Sequence, residues 1–240
     1  MSNKTLIMPC AGKSSRFPGS TPKWMLSNSS GECMLDMAMR PYQDKVDKII
    51  VAITKKQLTN NFLLDFFKNK IDRKFSLCVL EGQTKSASDT VYQTIKSCRV
   101  EGDIIIKDCD CYVDYVQPDS NNYIVGLDIK NSNSFSRLES KSFIKKDSND
   151  IIVDIIEKKI VSNSICVGTY ACESSSFSRN YLELCENPVF YDDVEIYVSY
   201  VFSKMILANE FIFSYIEADK YVDWGTVDEW NQNKDNKYGE

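Results

Sequence analysis

Two stretches carry residues whose types and spacing could do chemistry. Leu6-Ile7-Met8-Pro9-Cys10-Ala11-Gly12-Lys13-Ser14-Ser15-Arg16-Phe17 runs from an apolar segment into small, polar and basic residues, with Pro22-Lys23 close behind. The backbone N–H groups of Ala11 to Ser15 sit among side chains mostly small enough to let an anion approach, and Lys13, Arg16 and Lys23 add cations. A triphosphate needs that combination: main-chain donors for shape, Lys or Arg for neutralisation. The bland alternative is a turn at Gly12 with solvated basic residues around it. The second stretch is Asp108-Cys109-Asp110 at the end of an apolar run, where an extended chain points both carboxylates to one face. Close carboxylates repel unless a cation lies between them or one is protonated, so a divalent metal is the economical explanation. A turn with a helix cap is the structural alternative.

Histidine is absent from the chain, which removes Ser-His-Asp and Cys-His catalysis and every histidine metal site. A metal would have to be held by carboxylates, which suits magnesium or manganese. The net charge of -5 and pI near 5.0 argue against nucleic acid or an anionic membrane as the main partner. An anionic substrate must then be met by local positive charge. Nine cysteines, an odd number without a C-x-x-C pair, read as reduced and mostly buried thiols. Residues 1–30 contain no long apolar core, and no run approaches the ~20 residues of a membrane span. A cytoplasmic protein is expected, with enough chain for a full core in one domain, 1–240.

These residues need elements to position them. Thr5–Met8 reads as a buried strand that ends at the basic loop, where open α/β sheets place their ligands. Residues 33–43 read as a helix, Lys48–Thr54 as a strand, Lys55–Asn69 as a helix with Leu58, Phe62, Leu63, Phe66 and Phe67 at helical spacing, and Phe75–Leu80 as the next strand. A helix from about Ser86 to Lys96 carries a capping signal, Ser86 three residues before Asp89. Asp103–Lys107 is a fourth strong strand and delivers the aspartate pair. The alternation predicts an α/β fold, three-layered and Rossmann-like, with a mostly parallel central sheet. Beyond it, Tyr123–Ile129 reads as extended and 131–136 as a polar loop. Lys141–Lys146 and Ile151–Glu157 form a hairpin around Asp147-Ser148-Asn149-Asp150. Ile165–Cys172 is a strand containing Gly168, Asp192 and Asp193 are placed to cap a helix running to about Asn209, Phe211–Ile216 is the last long strand, and Tyr221–Thr226 leads into a short helix.

The basic loop resembles the A-G-x-G-x-R-[FL] loop and downstream Pro-Lys of the sugar-phosphate nucleotidyltransferases, which join a nucleoside triphosphate to a phosphorylated sugar or small alcohol. Ala11, Gly12, Arg16, Phe17, Pro22 and Lys23 match, and Ser14 stands at the second glycine. Asp110 resembles the family's central aspartate, which holds magnesium on the triphosphate, with Asp108 as its neighbour. Val222-Asp223-Trp224-Gly225-Thr226 resembles the W-x-D-x-G-T stretch, which implies Asp223 as second metal ligand; read alone, it is a turn with an N-cap at Thr226. Glu157-Lys158, Asn163 and Gly168-Thr169-Tyr170 are similar to the E-K-P and N-x-G-x-Y patterns, with Lys159 in place of proline. The resemblance implies that Lys158 holds the acceptor phosphate, that Glu157, Asn163 and Gly168 line the acceptor pocket, and that Glu195 bonds a sugar hydroxyl. Gln83, Ser86 and Ala87 fall where the family reads the base, with Ser86 at the usual glycine; read alone, they are a helix start.

The resemblance spans residues 5–230 and implies a GT-A-like nucleotidyltransferase core with a small β-hairpin acceptor lobe. The nucleotide-binding half is about 1–115 and the acceptor half about 116–240. It implies in-line attack of an acceptor phosphate oxygen on the α-phosphorus of CTP, UTP or dTTP, with Mg2+ or Mn2+ and release of pyrophosphate, for capsule or other surface-glycan precursors. The compact chain is nearer the cytidylyltransferases that take phosphocholine or polyol phosphates, and a homodimer suits such an enzyme. Other readings stay open. The D-x-D at 108–110 is also that of metal-dependent glycosyltransferases, and Ser14, Ser86 and Lys159 would suit a catalytically silent nucleotide-binding subunit. A haloacid-dehalogenase phosphatase wants this motif on the N-terminal strand, with Thr or Val where Tyr112 stands.

Overall fold

A computed structural model describes residues 4–13, 17, 21–58, 67, 74–131, 137–187 and 195–236. Ser14, Ser15 and Arg16 of the basic loop, most of the expected 55–69 helix, residues 132–136, and Asp192 and Asp193 lie outside them.

The apolar runs of the first half become strands, covered on both faces except at the edge strand Phe75–Leu80, where Val79 is exposed. β1 (Thr5–Pro9), β2 (Lys48–Thr54), β3 (Phe75–Leu80) and β4 (Asp103–Lys107) pair in parallel in the order β4-β1-β2-β3. Successive side chains of a strand point to opposite faces. Leu6 and Met8, Ile49 and Val51, and Ile105 accordingly pack into one apolar cluster, whereas Ile7, Ile50 and Ala52, and Ile104 and Ile106 pack into the other. The first cluster takes the helix Met34–Met39 together with Trp24, Trp224 and Trp230; the second takes the helices Ala87–Cys98, Ser174–Glu186 and Val198–Leu207. Helices on both faces leave the strand ends as the open sites.

The second half adds an antiparallel component. β9 (Ser164–Glu173) inserts between β4 and β6 (Tyr123–Asp128), antiparallel to both, and β10 (Ser214–Glu217) runs parallel to β6 at the edge. β7 (Ser142–Lys146) and β8 (Ile152–Glu157) form the expected hairpin, and β7 also pairs with β9, giving a nine-stranded sheet. A separate two-stranded ribbon joins β5 (Cys111–Asp114) to β11 (Lys220–Asp223), followed by the helix Val227–Asn233. All nine cysteines are free thiols.

Two expectations change and one helix is new. The helix expected after Asp193 begins at Val198, because Tyr197 before it is extended (φ -75, ψ 157). The helix Ser174–Glu186 was not foreseen from its serine-rich start, yet Phe177, Tyr181 and Leu184 recur at helical spacing and are buried. The strand expected over 211–216 pairs with β6 only from Ser214, since Phe211 and Phe213 are taken into the apolar cluster beneath. Ser86 is the N-cap of Ala87–Cys98 and accepts the Asp89 N–H at 3.1 Å. Ser86→Ala is expected to cost about 1 kcal/mol of unfolding free energy in urea denaturation, the usual value of such a cap.

Candidate active site

Lys23 is placed by its neighbours. Pro22, with φ -56, leads into a one-turn 3-10 helix, Lys23–Met25, closed by the Met25 N–H on the Pro22 carbonyl at 2.9 Å. Trp24 is buried, and its indole N–H donates to the Cys10 carbonyl at 3.1 Å, just beyond β1. The Gln57 amide donates to the same carbonyl at 3.1 Å. One carbonyl at the strand exit thus ties the basic loop, the 3-10 turn and the start of the second helix together. Lys23, next to Trp24, reaches Asp110 Oδ2 at 2.5 Å.

The chain does not stay extended after β4, as a shared carboxylate face would require. It turns at Cys109 and Asp110, and the turn closes around Lys107. Lys107 is fully buried; its ammonium group donates to the Asp108 carbonyl (2.5 Å), the Cys111 carbonyl (2.9 Å) and Cys111 Sγ (2.9 Å). Three donors meet three acceptors, which is what a buried ammonium requires. Burial pushes the Cys111 thiol up to about 12, so it keeps its proton and donates to the Val167 carbonyl at 3.4 Å.

The turn separates the two aspartates. Asp108 packs on Gly168 of β9, where the register against β6 slips and φ is +73. A Cβ at Gly168 would lie 2.5 Å from Asp108 Oδ2, so only glycine fits there. Burial and the charge of Asp110 push the Asp108 carboxyl up to about 6, against the lysines around it. Burial also acts on Asp110, but the ammonium of Lys23 outweighs it and holds that carboxyl well below the usual carboxylate range.

Asp223 comes to Asp110 through the ribbon. Asp223 is paired with Cys111 across β5–β11, and the Trp224 N–H donates to the Asp110 carbonyl at 2.8 Å. Trp224 is buried and meets Trp230 edge-on at 5.7 Å, which fixes the chain after the aspartate. Asp223 Oδ1 accepts the Gly225 N–H at 2.9 Å, and Oδ2 accepts the ammonium of Lys141. Burial lowers the Lys141 pKa and the charge of Asp223 raises it more, so Lys141 stays charged. Among the described residues no three His, Cys, Asp or Glu side chains are grouped as a metal cluster. Two carboxylates in the reach of one ammonium group, that of Lys141, nonetheless suit a hard cation that takes its other oxygens from phosphate and water.

A cleft of about 490 Å³ lies at the end of β1, lined by Ala11, Gly12, Lys13, Pro22, Gln57 and Gln83, among others. A Cβ at Gly12 would meet none of the described residues within 4 Å, so they leave the backbone there open to a ligand. Ser86 is buried under its helix and Ala87 packs on the apolar cluster, apart from the residues that line the cleft. Glu157 accepts the Ser199 hydroxyl at 2.6 Å and the Ser142 hydroxyl, while Asn163 and Glu195 are exposed. Lys158 has φ 53 and holds its ammonium over the Tyr197 ring, 4.1 Å from the centroid. Sequence reasoning missed Trp24, Lys107 and Lys141. A lysine closing an apolar strand, as at Lys107, was the available signal.

No protein-family model and no curated protein matches the chain. Solved structures do. A nucleoside-diphosphate-sugar pyrophosphorylase from Vibrio cholerae superposes with a TM-score of 0.80 at 19% identity, over 96% of this chain and 100% of that one. An inositol-1-phosphate CTP transferase from T. maritima gives 0.70 at 12% identity (95% and 91%), and a UDP-glucose pyrophosphorylase complexed with UDP-glucose gives 0.72 at 16% (97% of each). The chain has the nucleotidyltransferase fold.

The raised Asp108 carboxyl has a consequence for pH. Its unfolded pKa is about 3.9, so the folded chain holds that proton more tightly, and stability falls as pH rises from about 4 through about 6. Asp110 acts in the opposite sense, its contribution present above about 4 and lost on acidification. Thermal melts from pH 4 to 7 should show the fall in wild type and a smaller one in Asp108→Asn; equal slopes would exclude Asp108 as its source. Gly168→Ala should lower stability by more than about 1 kcal/mol, since a left-handed backbone conformation alone costs about 1–2 kcal/mol with a side chain.

Proposed function

We propose that this protein is a nucleotidyltransferase that joins a nucleoside triphosphate, CTP or UTP/dTTP, to a phosphorylated sugar or small alcohol and releases pyrophosphate. The observation that carries the reading is the Lys23–Asp110 ion pair, next in the chain to Pro22, which lines a cleft with Ala11, Gly12 and Lys13, with Asp223 tied to the same turn through the ribbon. The fold shared with pyrophosphorylases and a CTP transferase supports it.

The acceptor phosphate is a dianion near neutral pH, so the protein has no proton to remove. Catalysis reduces to positioning and charge neutralisation. Gly12 and its neighbours offer N–H groups to the triphosphate, and Lys23 and Arg16 offer charge. Gln83, exposed at the cleft, has the amide to read a base edge. Asp110 and Asp223 would hold Mg2+ or Mn2+, which when bound neutralises charge on the phosphates. Lys158 is assigned to the acceptor phosphate, with Glu157, Asn163 and Glu195 on the acceptor side.

A glycosyltransferase D-x-D would use two carboxylates on one face. The turn at Cys109 and Asp110, with Asp108 packed on Gly168, weighs against that use. No helix among the described residues is long and apolar enough to cross a membrane. A cytoplasmic role in making surface-glycan precursors is part of the proposed reading.

Pyrophosphate release with magnesium, each of CTP, UTP, dTTP, ATP and GTP, and a panel of sugar 1-phosphates, phosphocholine and polyol phosphates tests the reaction and identifies both substrates. Asp110→Asn and Lys23→Ala should each lower kcat by about 10²-fold or more while the protein stays folded. Normal turnover in either variant would refute the site assignment.

A further inference from the structure

Lys141 matches none of the family motifs in this chain, yet its ammonium group bonds Asp223 and the Tyr221 hydroxyl, the latter at 3.0 Å, within the field of Asp110. Its side chain is 16% exposed and that of Asp223 18%, close to the 21% and 19% of Lys23 and Asp110. All four groups are partly open, and Asp110 feels both ammonium groups. Each carboxylate therefore already has its own cation.

A divalent ion on Asp110 and Asp223 would stand beside two ammonium groups, and like charges at such range repel. That repulsion is relieved when the lysines have other anions to bond, and a chain of phosphates offers several. Lys141 is placed for such an exchange. It precedes β7, and its carbonyl accepts the Lys158 N–H at 3.0 Å, so the lysine assigned to the acceptor is tied to the same stretch of backbone.

We propose that Lys141 is a phosphate-binding residue of this site, held on Asp223 until phosphate arrives, so that metal and polyphosphate bind together. The proposal rests on the nucleotidyl-transfer reading. Lys141 donates to Asp223 in the resting protein and to a phosphate oxygen in the loaded one, which frees the carboxylate. No covalent bond changes.

The test is titration of the full-length protein with Mn2+, followed by electron paramagnetic resonance, with and without inorganic tripolyphosphate. Lys141→Met should bind Mn2+ alone roughly tenfold tighter than wild type, because a competing charge has gone. The same variant should bind tripolyphosphate with Mn2+ roughly tenfold more weakly. Lys141→Arg, which keeps the charge, should return both values toward wild type. Mn2+ affinity in Lys141→Met equal to or below wild type would overturn the proposal, and so would unchanged tripolyphosphate binding. Lys141→Gln keeps a donor for Asp223 and supplies the same comparison should the Met variant not fold. Neither titration needs turnover, so failure of the wild type to release pyrophosphate would count against nucleotidyl transfer alone.

Discussion

Two ion pairs, Lys23–Asp110 and Lys141–Asp223, set the candidate site on which the rest of this structure converges. Partly buried carboxylates in one region raise each other's energy unless cations accompany them, and Asp110 and Asp223 each have one. Lys23 and Lys141 are those cations, and they come from opposite halves of the chain. Four separate elements supply the groups: Lys23 follows the loop after β1, Lys141 precedes β7, Asp110 lies in the turn after β4, and Asp223 ends the ribbon strand β11.

Lys107 holds this arrangement from beneath. A buried ammonium costs several kcal/mol unless its donors are met, and here they are met by the backbone and thiol of the turn that carries Asp110. The turn cannot open without stranding that charge. Gly168 sets the other side, since its missing side chain gives Asp108 room and its carbonyl accepts the Asp108 N–H at 2.9 Å. Asp108 and Asp110 are two residues apart, yet one is pushed toward protonation and the other kept ionised. Burial acts on both, and Lys23 bonds only Asp110.

Much of this follows from the chain read by itself. The strands β1 to β4 are continuous apolar runs, because a parallel sheet with helices on both faces leaves no polar side, and their bounds were legible almost to the residue. The hairpin was legible from its Asp-Ser-Asn-Asp turn, the cap at Ser86 from its spacing to Asp89, and the cap at Thr226 from its residue type after a turn. Gly12, Lys23 and Asp110 stood out by residue type and Asp223 by the family resemblance, and the fold brings Lys23 to Asp110 and Asp223 to Lys141.

What the sequence could not determine is which charge meets which. An ammonium on a flexible side chain reads as solvated surface until the fold brings a carboxylate to it, so Lys141 looked like the first residue of a hairpin and Lys107 like the polar end of a strand. The conformation of Asp108-Cys109-Asp110 was equally undecided, since the pull that bends it comes from Lys107, Gly168 and Lys23, two of them more than fifty residues away. Residue chemistry and local periodicity determined the strands and the candidate ligands. Long-range pairing decided the geometry, because electrostatic and steric partners act through space and leave no period in the chain.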